Sequence, residues 1–105
     1  MYDIAIIGAG VIGAMIAREL MRYDVSLCVL ERENDVACGA TKANSAIVHA
    51  GFDAHPGSLK AKLNVRGSKL MKKVTDELGV KYINNGSLVI GFNDDDLREI
   101  KRLLK

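Results

Sequence analysis

The sequence predicts an α/β fold that opens on a strand–helix–strand unit. Three observations carry this. Residues 2–7 and 25–30 are short apolar runs rich in Ile, Val and Leu, the pattern of buried strands. Between them, apolar residues recur at helical spacing. Glycines Gly8, Gly10 and Gly13 stand where the first strand must turn into the helix. Strand, helix and parallel strand within about thirty residues make a βαβ unit, whose crossover is right-handed.

Each element follows in order. Residues 2–7 read as a fully buried strand and residues 11–22 as a helix. Ile12, Ile16 and Leu20 give that helix its apolar stripe, widened by Met15. Tyr23 and Asp24 form the turn into a second buried strand over residues 25–30. Residues 32–45 are small and polar, a loop with at most one helical turn, and the apolar residues 46–49 read as a strand. A turn region over residues 51–57 holds the only proline, Pro56. Ser58 then caps a long helix over residues 58–78, with Leu59, Leu63, Leu70, Val74 and Leu78 as its core stripe. Gly67 interrupts that pattern, and Gly79 suits the position just past the helix end. Residues 81–83 and 87–92 read as strands around an Asn84-Asn85-Gly86 turn, the start of an antiparallel element; one bulged strand is the alternative. Asn93 caps a final helix over residues 94–105, with Asp94, Asp95 and Asp96 at its positive end. No Gly or Pro closes that helix, which predicts that the chain is the N-terminal piece of something longer.

Composition narrows the function classes. With 105 residues the chain is one domain, 49% hydrophobic and 27% charged, as soluble globular proteins are. A net charge of +2 argues against a dedicated nucleic-acid binder. No apolar run reaches the roughly 20 residues of a membrane span, and no basic leader precedes the first strand, so a cytoplasmic location is expected. Cys28 falls in a strand and Cys38 in a loop. No Cys/His cluster suggests a metal, and no disulfide is expected.

Gly8, Gly10 and Gly13 have G-x-G-x-x-G spacing, weak alone but strong between a strand and a helix. Gly8 permits the tight turn, Gly10 lets a pyrophosphate approach the backbone, and Gly13 lets helix and strand pack closely. The N–H groups of the first helical turn, at Val11 and Ile12, and the helix dipole attract phosphate. Glu31 ends the second strand, 23 positions after Gly8. Its carboxylate can accept both hydroxyls of an adenosine ribose and would repel a 2′-phosphate. This is a Rossmann-like dinucleotide site, and the motif alone leaves NAD and FAD open.

The segment from Gly39 to Gly51 resembles the second conserved motif of the D-amino-acid-oxidase-like FAD enzymes. Within that superfamily the chain is similar to FAD-dependent glycerol-3-phosphate dehydrogenases and L-2-hydroxyglutarate dehydrogenases. The Gly39-Ala40-Thr41 opening looks like the first group, and residues 52–62 look more like the second. The resemblance covers essentially the whole chain and is more specific for superfamily than for substrate. It implies that the cofactor is FAD. It implies that Thr41 contacts the pyrophosphate, that Lys42, Asn44 and Ser45 lie beside the ribityl chain and flavin, and that the Arg32 stem covers the adenine. It also implies that His49 lies near the flavin as the candidate catalytic base. Ala46 stands where the family commonly has glycine. Read without the resemblance, His49 on an apolar segment is also consistent with a core histidine that has a satisfied partner.

The implied reaction is hydride transfer from a secondary alcohol carbon to flavin N5, with a protein base taking the hydroxyl proton. The implied substrate is a small anionic alcohol, glycerol 3-phosphate first and L-2-hydroxyglutarate second. Electrons would pass on to a quinone, a protein or oxygen, with the full-length protein peripheral at the membrane. The rest of such a site comes from further along the chain, so this piece alone is expected to be inactive, with apolar surface that a homodimer would cover. The competing class is a non-catalytic fragment that keeps only the adenosine-binding half; an NAD-binding module is the third. His55, beside Pro56, reads as an exposed loop residue. The basic residues Lys60, Lys62, Arg66, Lys69, Lys72 and Lys73 read as a solvated helix face, with Lys60 or Lys62 able to attract an anionic substrate.

Overall fold

The computed structural model describes residues 1–104. The element order is β1 (Ile4–Ile7), α1 (Val11–Leu20), β2 (Leu27–Leu30), α2 (Leu59–Glu77) and α3 (Asp94–Leu103). They fall into two compact units, Met1–Ile47 and Val48–Lys105.

The first unit is the expected βαβ. β1 and β2 pair in parallel, with Ile4 opposite Leu27 and Ile7 opposite Leu30. Both strands start two residues later than their apolar runs suggest. Asp3 and Ser26 bond each other through side chains at that point. The Ser26 N–H and hydroxyl donate to Asp3 Oδ2 at 2.8 and 2.5 Å, and the Asp3 N–H donates to Ser26 Oγ at 3.1 Å. The Ser26 side-chain hydrogen bond, followed by its backbone one, lowers the Asp3 carboxyl below the ordinary range.

Burial differs from the expectation. β1 is covered at Ile6, 8% exposed, and open at Ile7, 88% exposed, while β2 is half-buried at Leu27 and Cys28 and exposed at Val29 and Leu30. α1 meets β1 through Gly13, its buried residue, and Ala17 and Leu20 on the same side are half-buried. Of the expected stripe, Leu20 and Met15 are half-buried, whereas Ile12 and Ile16 are exposed. Periodicity marks which residues share a face, but the close approach at Gly13 decides which face packs. Cys28 is half-buried and Cys38 exposed, both as free thiols.

In the second unit the helix boundaries fall at the expected caps. Ser58 Oγ accepts the Ala61 N–H at 3.1 Å. At the other end of α2 the Gly79 N–H donates to Asp76 O at 3.3 Å and the Val80 N–H to Thr75 O at 2.9 Å, with Gly79 at φ +65°. That pair is a Schellman motif, whose left-handed residue glycine supplies at least cost. Asn93 Oδ1 accepts the Asp96 N–H at 2.9 Å to open α3. Asp94, Asp95 and Asp96 sit in its first turn and Lys101 and Arg102 in its last, each complementing the helix dipole. Lys105, the expected last helical residue, lies outside the described residues.

Three expected strands are not formed. Residues 46–49, 81–83 and 87–92 make no ladder, and the only strand pair among the described residues is β1–β2. An apolar β-branched run becomes a strand only when a partner supplies the other half of its hydrogen bonds. Leu88, Ile90 and Phe92 are accordingly exposed. The turn residue Gly86 does take its left-handed conformation, at φ +72°. Residues 37–43 make isolated helical turns, such as Ala43 N–H to Ala40 O at 3.2 Å.

Candidate functional site

The site grows from the end of β1. The Gly8 N–H donates to Leu30 O at 2.7 Å, extending the parallel pairing by one bond, and the chain then turns at φ +99°. Only glycine adopts that conformation readily. The turn delivers Ala9, buried, and Gly10, the N-cap of α1 in extended conformation with no side-chain cap of its own. A Cβ on Gly13 would lie 1.9 Å from Gly8 O, so only glycine lets α1 leave the turn at this angle.

Two polar side chains from distant sequence close onto this turn. Glu31 Oε2 accepts the Ala9 N–H at 2.6 Å. Its other oxygen accepts the N–H groups of Arg32 at 2.9 Å and Glu33 at 3.1 Å. The Ala9 N–H is the main reason that the Glu31 carboxyl lies below the usual carboxylate range; the Glu33 and Arg32 N–H groups and the Arg32 charge add to it against a smaller opposing effect of desolvation. Thr41 Oγ1 accepts the Val11 N–H at 2.9 Å, and a Cβ on Gly10 would lie 3.1 Å from the same oxygen. Thr41 therefore acts as the missing cap of α1 and keeps its own hydroxyl proton to donate. The N–H groups of Ile12 and Gly13 have no acceptor among the described residues. This end of the helix can take an oxyanion, and the Glu31 end can take hydroxyl donors.

The loop that carries Thr41 is shaped by Asn44 and by two left-handed alanines. The Asn44 amide donates to Thr41 O, and its Oδ1 accepts the Ala46 N–H at 2.6 Å. Ala46 has φ +56°, which explains why glycine is common at that position in the family it resembles. Ala37 has φ +60°; its N–H donates to Ala9 O and its carbonyl accepts the Lys42 N–H, both at 3.1 Å. Sequence reasoning missed Ala37, because an alanine in left-handed conformation has no local signal.

The structure thus brings Gly8, Gly10, Val11, Gly13, Glu31 and Thr41 together. Lys42 and Ser45 are exposed, and their side chains make no hydrogen bond among the described residues. Asn44 spends its amide on the loop. Arg32 is 90% exposed and pairs with Glu33 at 3.0 Å, so its stem covers nothing in this structure. His49 belongs to the second unit, where its ring, 61% exposed, faces Asp53. It is not a core histidine. His55 is exposed, with Nδ1 2.9 Å from Pro56 O. On the basic helix face Lys72 and Lys73 pair with Asp76 and Glu77, and both are exposed. No cluster able to hold a metal occurs among the described residues, and no helix there is long and apolar enough to cross a membrane.

Comparison with known proteins adds a family. Residues 3–105 match the family described as FAD dependent oxidoreductase. The chain is 52% identical over 103 residues to a glycerol 3-phosphate dehydrogenase of Caloramator mitchellensis, covering 98% of this chain and 22% of that protein. It is 36% identical over 106 residues to the mitochondrial L-2-hydroxyglutarate dehydrogenase of Dictyostelium discoideum, covering 99% of this chain and 24% of the relative. The L-2-hydroxyglutarate dehydrogenase of Escherichia coli (strain K12) is 36% identical over 105 residues, covering 98% of this chain and 25% of that protein. The chain therefore spans between a fifth and a quarter of the length of these curated relatives.

Proposed function

The chain belongs to the FAD-dependent oxidoreductase family, and on that premise we propose that it is the cofactor-binding opening of an enzyme that oxidises glycerol 3-phosphate. FAD is its cofactor. The observation that carries the binding half is the closure of Thr41 and Glu31 onto the Gly8–Gly13 turn, at 2.9 and 2.6 Å. The residues fit the group: a side chain at Gly10 would crowd Thr41, the N–H groups of Ile12 and Gly13 have no acceptor among the described residues, and an ionised carboxylate stands at the far end. Ile12, Gly13 and the Thr41 hydroxyl would hold the pyrophosphate, Glu31 the ribose, and Lys42 and Ser45 the groups beyond.

When bound, FAD supplies a two-electron acceptor at its flavin. This chain's own residues do the rest. Thr41 and the turn fix the adenosine diphosphate half, and Asn44 holds the loop that carries Thr41. His49 takes the hydroxyl proton of the substrate. Lys60 and Lys62, exposed on α2 and without an ion-pair partner among the described residues, draw the anionic group. Residues 81–92 form no ladder among the described residues; their exposed apolar side chains at Leu88, Ile90 and Phe92 support reading them as a segment ready to join an antiparallel substrate-domain element.

Glycerol 3-phosphate is favoured because identity is 52% to the dehydrogenase of that name and 36% to the L-2-hydroxyglutarate enzymes. The test mixes the oxidised full-length flavoprotein, without oxygen, with each alcohol and follows bleaching of the flavin band. Glycerol 3-phosphate should bleach it at least about tenfold more efficiently, the low end of what pocket contacts discriminate. The reverse order would give the site to L-2-hydroxyglutarate. A second reading concerns the chain by itself. It is read as a unit that binds the dinucleotide, supported by the closure of Thr41 and Glu31 onto the glycine turn.

A further inference from the structure

We propose that Asp53 is a positioning residue for His49: it holds the imidazole so that Nε2 is the bare, proton-accepting nitrogen during alcohol oxidation. The proposal rests on the reading of His49 as the base. Its own observation is the pair of His49 Nδ1 and Asp53 Oδ2, 2.6 Å apart. An ionised carboxylate is acceptor-only, so the hydrogen between them sits on Nδ1. Neutral imidazole carries one N–H, which leaves Nε2 with a lone pair.

The fold sets this pairing locally. His49 and Asp53 flank a turn in which Gly51 has φ +116°. A Cβ on Gly51 would lie 2.7 Å from Val65 Cγ2 and 3.5 Å from Asn64 Oδ1, so the turn lies directly against α2. Ala54, next to Asp53, is 8% exposed and anchors the other side. Neither His49 nor Asp53 has another hydrogen-bond partner among the described residues, so the carboxylate serves the ring alone. The side chain is 61% exposed, and Nε2 has no hydrogen-bond partner among the described residues.

The step balances. The substrate O–H bond breaks and its proton goes to Nε2. The O–H electron pair becomes the second bond of the carbonyl. The carbinol C–H bond breaks, and its hydride would leave with two electrons for the acceptor that bound, oxidised FAD would supply. The ring becomes an imidazolium between the product and Asp53, whose negative charge stabilises it.

Two measurements test this. Long-range proton–nitrogen NMR of the histidine-labelled chain is recorded in mildly alkaline buffer. His49 should carry its proton on Nδ1 and shift toward Nε2–H in Asp53→Ala, with a His55→Gln variant identifying the signals. An Nε2–H form in the wild type, or one unmoved by Asp53→Ala, overturns the proposal. In the full-length flavoprotein, Asp53→Ala should slow flavin reduction by glycerol 3-phosphate about 10- to 100-fold, the usual cost of losing a residue that orients another. FAD content and substrate affinity should be unchanged, and Asp53→Glu should recover most of the rate. His49→Gln should cost about 100-fold or more. If His49→Gln is slow and Asp53→Ala is not, the dyad fails and the base stands. If His49→Gln is as fast as the wild type, the base reading and the dyad fail together.

Discussion

The two units are held by different kinds of hydrogen bond. In Met1–Ile47 the decisive ones join distant residues: Ala9 to Glu31 across 22 positions and Val11 to Thr41 across 30. In the second unit they are local: Ser58 to Ala61, Asn93 to Asp96, Lys72 to Asp76 and His49 to Asp53, each three or four residues apart. Local bonds start and stop helices. Distant bonds bring groups of different chemistry to one turn, and so they make a site. The two units should therefore respond differently to mutation. Changes in the first should move ligand binding, and changes at the caps of the second should move helix stability alone.

The largest effect is expected at Gly10. Gly10→Val places a branched side chain where Cβ alone would already be 3.1 Å from Thr41 Oγ1. Isothermal titration with FAD should show affinity reduced by about 100-fold or more, or about 3 kcal/mol. Unchanged affinity would separate the turn from the ligand and break the contrast.

Next comes Glu31→Gln. Losing a charged acceptor costs about 1.5–3 kcal/mol, or about 10- to 100-fold in FAD affinity. Acid should act in the same direction. The Glu31 carboxyl is lowered in the folded chain, so its contribution is fully present above the unfolded value of about 4.3. It fades as pH falls through the lower folded value. The Ala9 amide resonance should follow this titration in the wild type, and Glu31→Gln should abolish it.

Smaller effects sharpen the other side of the contrast. Ser58→Ala removes the cap of α2 and should cost about 1 kcal/mol in thermal unfolding, with FAD affinity unchanged. Ala46→Gly relieves a left-handed alanine and should stabilise the loop by up to about 1 kcal/mol, with FAD affinity the same or slightly tighter.

The same division explains what could be read in advance. Ser58, Gly79 and Asn93 mark their helix ends because capping is decided within four residues, and Gly8, Gly10 and Gly13 mark the turn for the same reason. The strands over residues 46–49 and 81–92 could not be settled that way. Their apolar pattern states readiness to pair, and among the described residues no partner strand meets it. The stripe of α1 held only in part: Leu20 and Met15 are half-buried, but Ile12 and Ile16 are exposed because contact with β1 is set by Gly13. Thr41 was legible only through a family resemblance, since nothing near it in sequence points to Val11. Asp53 was not legible, because a carboxylate four residues from a histidine is common and only the turn at Gly51 makes the pair.

The central claim is that the first unit holds the adenosine diphosphate half of FAD. Competition binding of FAD, ADP and FMN to the chain tests it most directly. FAD should bind, ADP should displace it, and FMN, which lacks the adenosine half, should not compete. FMN binding as well as FAD, with ADP unable to displace either, would contradict it.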